Sequence, residues 1–122
     1  MRNKLKTLIE SIGGEVVLKK IMHVFYSRME NDILIGFFFT GKDLAHISAM
    51  QASFILNAAG LTSSFPGKGP ATAHIALPPI LSGHFDRRLV LLREVLIDHQ
   101  LTDEQIQTWI DFEESFRSMV VT

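Results

Sequence analysis

The sequence predicts an all-α fold, and three observations carry that prediction. Apolar residues recur at the three- and four-residue spacing of a helix from one end of the chain to the other. Strand signals are few. The run Ile33-Leu34-Ile35-Gly36-Phe37-Phe38-Phe39 is one that a buried strand would also fit. Glycine, proline and capping residues punctuate the chain at helix-length intervals.

In chain order, a first helix is expected over about Lys4 to Ile12, stopped by Gly13-Gly14, a pair suited to a sharp turn. A second runs from about Glu15 to Met29, with Leu18, Ile21, Met22, Phe25 and Met29 on one face. The apolar run 33–39 is read as one or two helical turns because its neighbours are helical. A third long helix is expected from near Thr40 to about Ala59, with Thr40 and Asp43 at capping-box spacing and an inward stripe of Leu44, Ile47, Gln51, Phe54 and Ala58. Residues 61–72, rich in Ser, Gly and Pro, form a loop whose length marks it as functional or mobile. Ala73 to Leu77 fits a turn or two before Pro78-Pro79 halts it. Another helix spans about Ser82 to His99, burying Phe85, Leu89, Leu92, Val95 and Leu96. The last opens with a capping box at Thr102-Asp103-Glu104-Gln105, stapled by Leu101 and Ile106, and shows Ile106, Trp109, Ile110, Phe116 and Val120 on its apolar face.

A chain of 122 residues has the length of one domain. Burying roughly two-thirds of its unfolded surface supplies one core and one ligand cavity. A net charge of −1 offers no basic surplus for gripping phosphates, so nucleic acid is not an expected partner. The absence of cysteine removes disulfides, zinc thiolates and thiol catalysis together. The first residues show no apolar leader, and no apolar run reaches membrane-spanning length, so a cytoplasmic protein without membrane insertion is expected.

Three polar residues fall on or beside faces that the periodicity assigns to the interior: Tyr26, Gln51 and Arg88. An unpaired buried amide or hydroxyl costs roughly 1–3 kcal/mol and a lone charge more, so each is expected to find a partner in water, backbone or a bound polar ligand. Taken singly, each also fits an ordinary place: Tyr26 in the core, Gln51 satisfied on its stripe, and Arg88 laying its stem along the core with its head in water. Composition and spacing stop at a helical domain with a polar-lined cavity.

The order of the motifs goes further. Gly13-Gly14 before a helix, Phe25-Tyr26 late in it, Phe38-Phe39, Met50-Gln51 with Phe54 and Ala59-Gly60, then Ala73-His74, Leu77-Pro78 and His84-Phe85-Asp86 resemble the truncated haemoglobins. The stretch from Phe38 to Gln51 resembles group I, and the likeness covers about residues 10 to 120. It implies a truncated-globin fold, a two-over-two helical sandwich formed by residues 1–122 as one domain, with haem b as cofactor. Carried over position by position, His74 matches the iron ligand, and Tyr26 and Gln51 match donors on the opposite, distal side. Phe38 and Phe39 match residues packed on the porphyrin, Phe54 an aromatic at its edge, and Ile47 a gate residue. Met50 stands where some members carry a histidine, and Leu77 and Phe85 complete the haem-lining set. Ala73 replaces a basic residue that often pairs with a haem propionate, leaving Lys68 or Arg88 as substitutes. Arg88 also falls where groups II and III carry tryptophan, so those groups fit poorly. Ala59-Gly60 departs from the family's second glycine pair.

The other histidines suit different roles. His23 and His46 read as solvated or capping residues, His84 as structural at a helix start, and His99 as a charge complementing a helix C-terminus. An imidazole holds globin iron on one side and leaves the opposite face open for O2, NO or CO. Bound O2 gathers negative charge, to which the Tyr26 hydroxyl and Gln51 amide can donate while Ile47 keeps the entrance apolar. That combination implies NO dioxygenation or detoxification of reactive nitrogen and oxygen species, served by an unidentified reductase in a monomer or weak homodimer. O2 storage or transport, peroxidase-like turnover using Arg88, a haem-based sensor and a haem-free helical interaction module stand as alternatives, and enzymatic activity stays open.

Overall fold

The computed structural model describes residues 1–63, 65, 67, 69, 73–74 and 77–122. These form α1 (Arg2–Ile12), α2 (Glu15–Glu30), a 3-10 turn (Gly36–Phe39), α3 (Leu44–Ala58), α4 (Ser82–Asp98), α5 (Asp103–Glu114) and the short α6 (Arg117–Val120). No strand occurs among the described residues, so the apolar run 33–39 resolves as a helical turn. Two pairs, α2 with α3 and α4 with α5, meet where α2 lies on α4, and α1 packs on α5 and α2.

The first turn forms where the glycine pair predicts it. Gly13 adopts φ 119° and Gly14 φ 84°, backbone conformations that other residues rarely hold, and their N–H groups donate to the Glu10 and Ile9 carbonyls to close α1. From α2, Leu18, Ile21, Met22, Phe25 and Met29 are all buried, as their spacing requires. Each contributes about 1.5–3 kcal/mol relative to exposure. Asp32 takes the N–H groups of Leu34 and Ile35, which bends the chain into the 3-10 turn. Gly36 then lies so close to the Glu30 carbonyl that a Cβ there has no room.

α3 begins later than its capping pattern suggests. Asp43 is itself the N-cap, accepting from the His46 N–H at 3.1 Å, whereas Thr40 sits on the preceding turn. Its most buried stripe also differs from the expected one. Ser48, Ala52, Ile55 and Ala59 are sealed, and the small side chains at 48, 52 and 59 let α3 approach closely. Leu44, Ile47, Gln51, Phe54 and Ala58 are only half-buried.

At the start of α5 the expected capping box is present, with Thr102 Oγ1 accepting from the Gln105 N–H and Gln105 Oε1 from the Thr102 N–H. Ile106, Trp109 and Ile110 are buried as predicted, but the helix breaks at Ser115, and Phe116 and Val120 are half-buried beyond the break. Trp109, the chain's single tryptophan, is 1% exposed, and its indole N–H finds no acceptor among the described residues. On α4, Leu91 joins the predicted core residues while Leu89 is half-buried. Arg117 bonds Asp86, Glu114 and Ser82 with its guanidinium 4.6 Å over the Phe85 ring, clamping the start of α4 to the α5–α6 corner. The C-terminus is tied back at Ile80, which donates to Thr122 Oγ1 and accepts the Thr122 N–H at 2.8 Å. No helix of the described residues is long and apolar enough to cross a membrane.

Candidate functional site

Between α2, α3, α4 and α5 lies a partly open cavity of about 800 Å³. That is toward the large end of cofactor sites, roughly 300–1,000 Å³. Tyr26 enters it from α2, Phe38 and Phe39 from the 3-10 turn, and Ile47, Met50, Gln51 and Phe54 from α3. His74 and Leu77 come from the segment before α4, and Phe85 and Arg88 from α4. The structure thus brings together every site residue expected from the sequence except Lys68, which lies outside the described residues. Much of the half-buried face of α3 is thereby explained: Ile47, Gln51 and Phe54 line a cavity rather than a packed core.

The aromatic walls are held edge to face. The Tyr26 ring meets Phe39 at 5.8 Å and 89°, and Phe38 meets His84 at 5.1 Å and 81°. His84 Nδ1 accepts the Leu81 N–H at 3.0 Å, which caps α4 and places the neutral ring's proton on Nε2. The structural role expected of His84 is therefore present, and the ring is also part of the cavity wall. His99 Nδ1 lies 2.8 Å from the Val95 carbonyl at the end of α4.

The polar wall is a connected set. Glu113 on α5 is 4% exposed; its Oε1 accepts from Gln51 Nε2 at 3.4 Å, a long bond, and its Oε2 from Arg88 Nη2 at 3.1 Å. Arg88 also points Nη1 at Met29 Sδ and rests 5.0 Å over the Phe25 ring and 5.8 Å over the Tyr26 ring. Burial works against the Arg88 charge, but the Glu113 carboxylate and then Tyr26 outweigh it and hold the guanidinium's pKa above its ordinary value. Arg88 therefore faces an internal carboxylate rather than standing free for a propionate.

Glu113 is the cavity-lining residue that the sequence reading misses. The signal was available, because position 113 continues the stripe of Ile106, Trp109, Ile110 and Phe116 at helical spacing, where a carboxylate stands out as much as Gln51 does on α3. Lys42 and His46, both exposed, also line the cavity and bring cationic or donor groups to its rim.

These features suit a haem. A broad, mostly apolar and aromatic cavity accepts a flat macrocycle, and the rim groups Lys42 and His46 suit its carboxylates. Among the described residues there is no cluster of three or more His, Cys, Asp or Glu able to hold a bare metal ion. A macrocycle that brings its own four nitrogen ligands needs only one imidazole, such as His74.

Comparison with known proteins agrees with this geometry. The family model of bacterial-like globins matches residues 7–121. The chain is similar to the group 1 truncated haemoglobin of Tetrahymena pyriformis, 29% identical over 104 residues that cover 85% of each chain. It is also similar to the group 1 truncated haemoglobin GlbN of Synechocystis sp., 32% identical over 107 residues covering 82% of this chain and 86% of that one. Among solved structures, a ferric variant of the Tetrahymena pyriformis truncated haemoglobin superposes with TM-score 0.86 at 26% identity, covering 94% of this chain and 97% of that one. The 2/2 haemoglobin of Synechococcus sp., solved in the cyanomet state with covalently attached haem, gives 0.84 at 25% identity, covering 93% and 97%. With nearly its full length matched in sequence and in fold, this chain belongs to the bacterial-like globin family, as a truncated haemoglobin whose cofactor is haem.

Proposed function

We propose that this globin retains O2 for reaction with nitric oxide, yielding nitrate, with His74 holding the iron and Tyr26 and Gln51 facing the gas. The haem supplies an iron that binds a diatomic ligand; the chain's own side chains decide how long that ligand stays and what meets it. The observation that carries the reading is that a hydroxyl and an amide, on two different helices, line the same cavity as His74 beside an apolar Ile47. Each hydrogen bond to a ligand carrying negative charge contributes about 1.5–3 kcal/mol, or roughly ten- to more than a hundredfold in retention. Transport calls for quick release, which two donors oppose. Defence calls for O2 to wait until a scarce partner arrives, and Ile47 offers that partner an entrance without polar groups.

NO and O2 sum to nitrate when one electron is added, so turnover draws on a separate reductase. The test is to mix the oxygenated protein with NO and follow nitrate. Near-stoichiometric nitrate, formed faster than O2 dissociates, is expected; free O2 with no nitrate removes the proposal. His74→Ala is expected to abolish stable haem retention, and normal haem content in that variant moves the ligand elsewhere.

A second reading, peroxidase-like turnover, draws on Arg88, a cation on the cavity wall. Glu113 already balances that charge at 3.1 Å, which favours the first reading. Peroxide consumption with a reducing co-substrate, faster than NO-driven turnover, would reverse the preference.

A further inference from the structure

We infer that Glu113 is a positioning residue for both distal donors, acting on Gln51 directly and on Tyr26 through Arg88. This rests on the proposed reading that Tyr26 and Gln51 face the bound gas. Four helices meet in the arrangement: Tyr26 on α2, Gln51 on α3, Arg88 on α4 and Glu113 on α5. The chemistry of each group leaves little choice of direction. A carboxylate only accepts and a guanidinium only donates.

Because Glu113 Oε1 only accepts, Gln51 must turn its NH2, not its carbonyl, toward α5. One N–H is thereby held, and the second N–H on the same nitrogen has its direction set by the first. Without the carboxylate, the amide is free to exchange its ends, and a carbonyl turned toward the gas repels what the NH2 attracts. The hold on Tyr26 is of another kind. The Arg88 guanidinium lies over the Tyr26 ring, 5.8 Å from its centroid, and that contact helps fix where the ring stands. With Tyr26 lining the cavity, a ring held in that place keeps its hydroxyl available to a cavity ligand.

Arg88 does this only while it is held. Its guanidinium is pinned by Glu113 Oε2 at 3.1 Å, by the Phe25 face at 5.0 Å and by Met29 Sδ at 3.7 Å. Of these, the carboxylate is the only charged anchor. Removing it leaves a cation free to swing toward solvent, to which its side chain is already 20% exposed. One carboxylate thus sets the orientation of two donors on two other helices.

The test uses the haem-loaded protein with O2 and CO. Glu113→Gln preserves size and hydrogen-bonding capacity but introduces an NH2 that competes with that of Gln51. It is expected to raise the O2 dissociation rate roughly tenfold and to shift the C–O stretching frequency of the CO adduct upward, toward that of an apolar pocket. The paired variant Arg88→Met with Glu113→Leu keeps the interior packed and uncharged, and is expected to give the same two changes. In a Tyr26→Phe, Gln51→Leu background, Glu113→Gln should add nothing, since it acts through those residues. Wild-type O2 release and C–O frequency in both Glu113 variants, with Tyr26→Phe altered, overturn this inference and leave the proposed function standing. If Tyr26→Phe and Gln51→Leu also match wild type, the distal reading itself fails and this inference falls with it.

Discussion

Arg87 and Arg88 are neighbours on α4, and each forms an ion pair with a carboxylate far away in sequence, yet the two pairs occupy different worlds. Arg87 bonds Asp32 through Nε at 3.1 Å and Nη2 at 2.7 Å, with about a third of its side chain in solvent. Arg88 turns the other way, into the cavity; the two carboxylates are equally covered, each side chain 6% exposed, and Arg88 keeps 20% of its own in solvent. The outer pair fastens a turn: Asp32 also takes two backbone N–H groups, so it is an element of local architecture with a cation added. The inner pair joins side chains of the site to one another. Identical chemistry one residue apart therefore does different work, and because Asp32 keeps two backbone N–H donors when its cation is lost, breaking the inner pair is the more costly.

The largest expected effect comes from breaking the inner pair on one side. Glu113→Ala leaves Arg88 without its counter-charge, which in buried settings costs roughly 3–5 kcal/mol, lessened here by the partial exposure of Arg88. Denaturant unfolding of the haem-loaded protein reads this. Arg88→Met with Glu113→Leu should recover most of the loss. Equal destabilisation by the single and paired variants would show that volume, not charge, governs this position. Next in size is Tyr26→Phe, which should raise the O2 dissociation rate roughly tenfold or more by stopped-flow displacement, with little effect on unfolding. An unchanged rate would return Tyr26 to a purely packing role.

The smallest effect should come from the outer pair. The Arg87 hydrogen bonds, opposed by desolvation and helped by the Leu34 and Ile35 N–H groups, hold the Asp32 carboxyl below its ordinary range. A depressed folded pKa means that the stability it contributes is present above the unfolded value, near 3.9, and is lost as pH falls through the folded one. Asp32→Asn should therefore lower stability modestly at neutral pH and flatten its decline below about pH 4. A decline as steep as wild type in that window would mean other carboxylates carry the acid response. The comparison would lose its sharpness if Asp32→Asn also altered O2 release.

Much of this could be read in the residues beforehand, because local rules govern them. Gly13-Gly14 ended α1 since positive φ is cheap only for glycine, and Thr102 with Gln105 satisfied the orphan N–H groups at the start of α5. The start of α3 was less legible. Thr40 and Asp43 have capping spacing, but two candidate caps three residues apart compete, and the turn at Phe37–Thr40 had already claimed the first. The α3 stripe was legible as a face and not as its surroundings, since periodicity cannot tell a packed interface from a cavity wall. Tyr26, Gln51 and Arg88 stood out as polar groups on apolar faces and met in one place. Glu113 did not stand out, because in Asp111-Phe112-Glu113-Glu114 one acidic residue among three looks like a solvated turn of helix. Its place on the stripe of Ile106, Trp109, Ile110 and Phe116 is what separates it from the other two.

Trp109 gives the molecule an optical label of its own. A lone indole sealed in the core emits from a dry environment, and any opening of the helices around it moves that emission toward the red. A porphyrin occupying the same small protein accepts the indole's excitation energy, so brightness falls as the cofactor enters and returns as it leaves. Cofactor capture and unfolding can thus be followed in one cuvette without adding a dye.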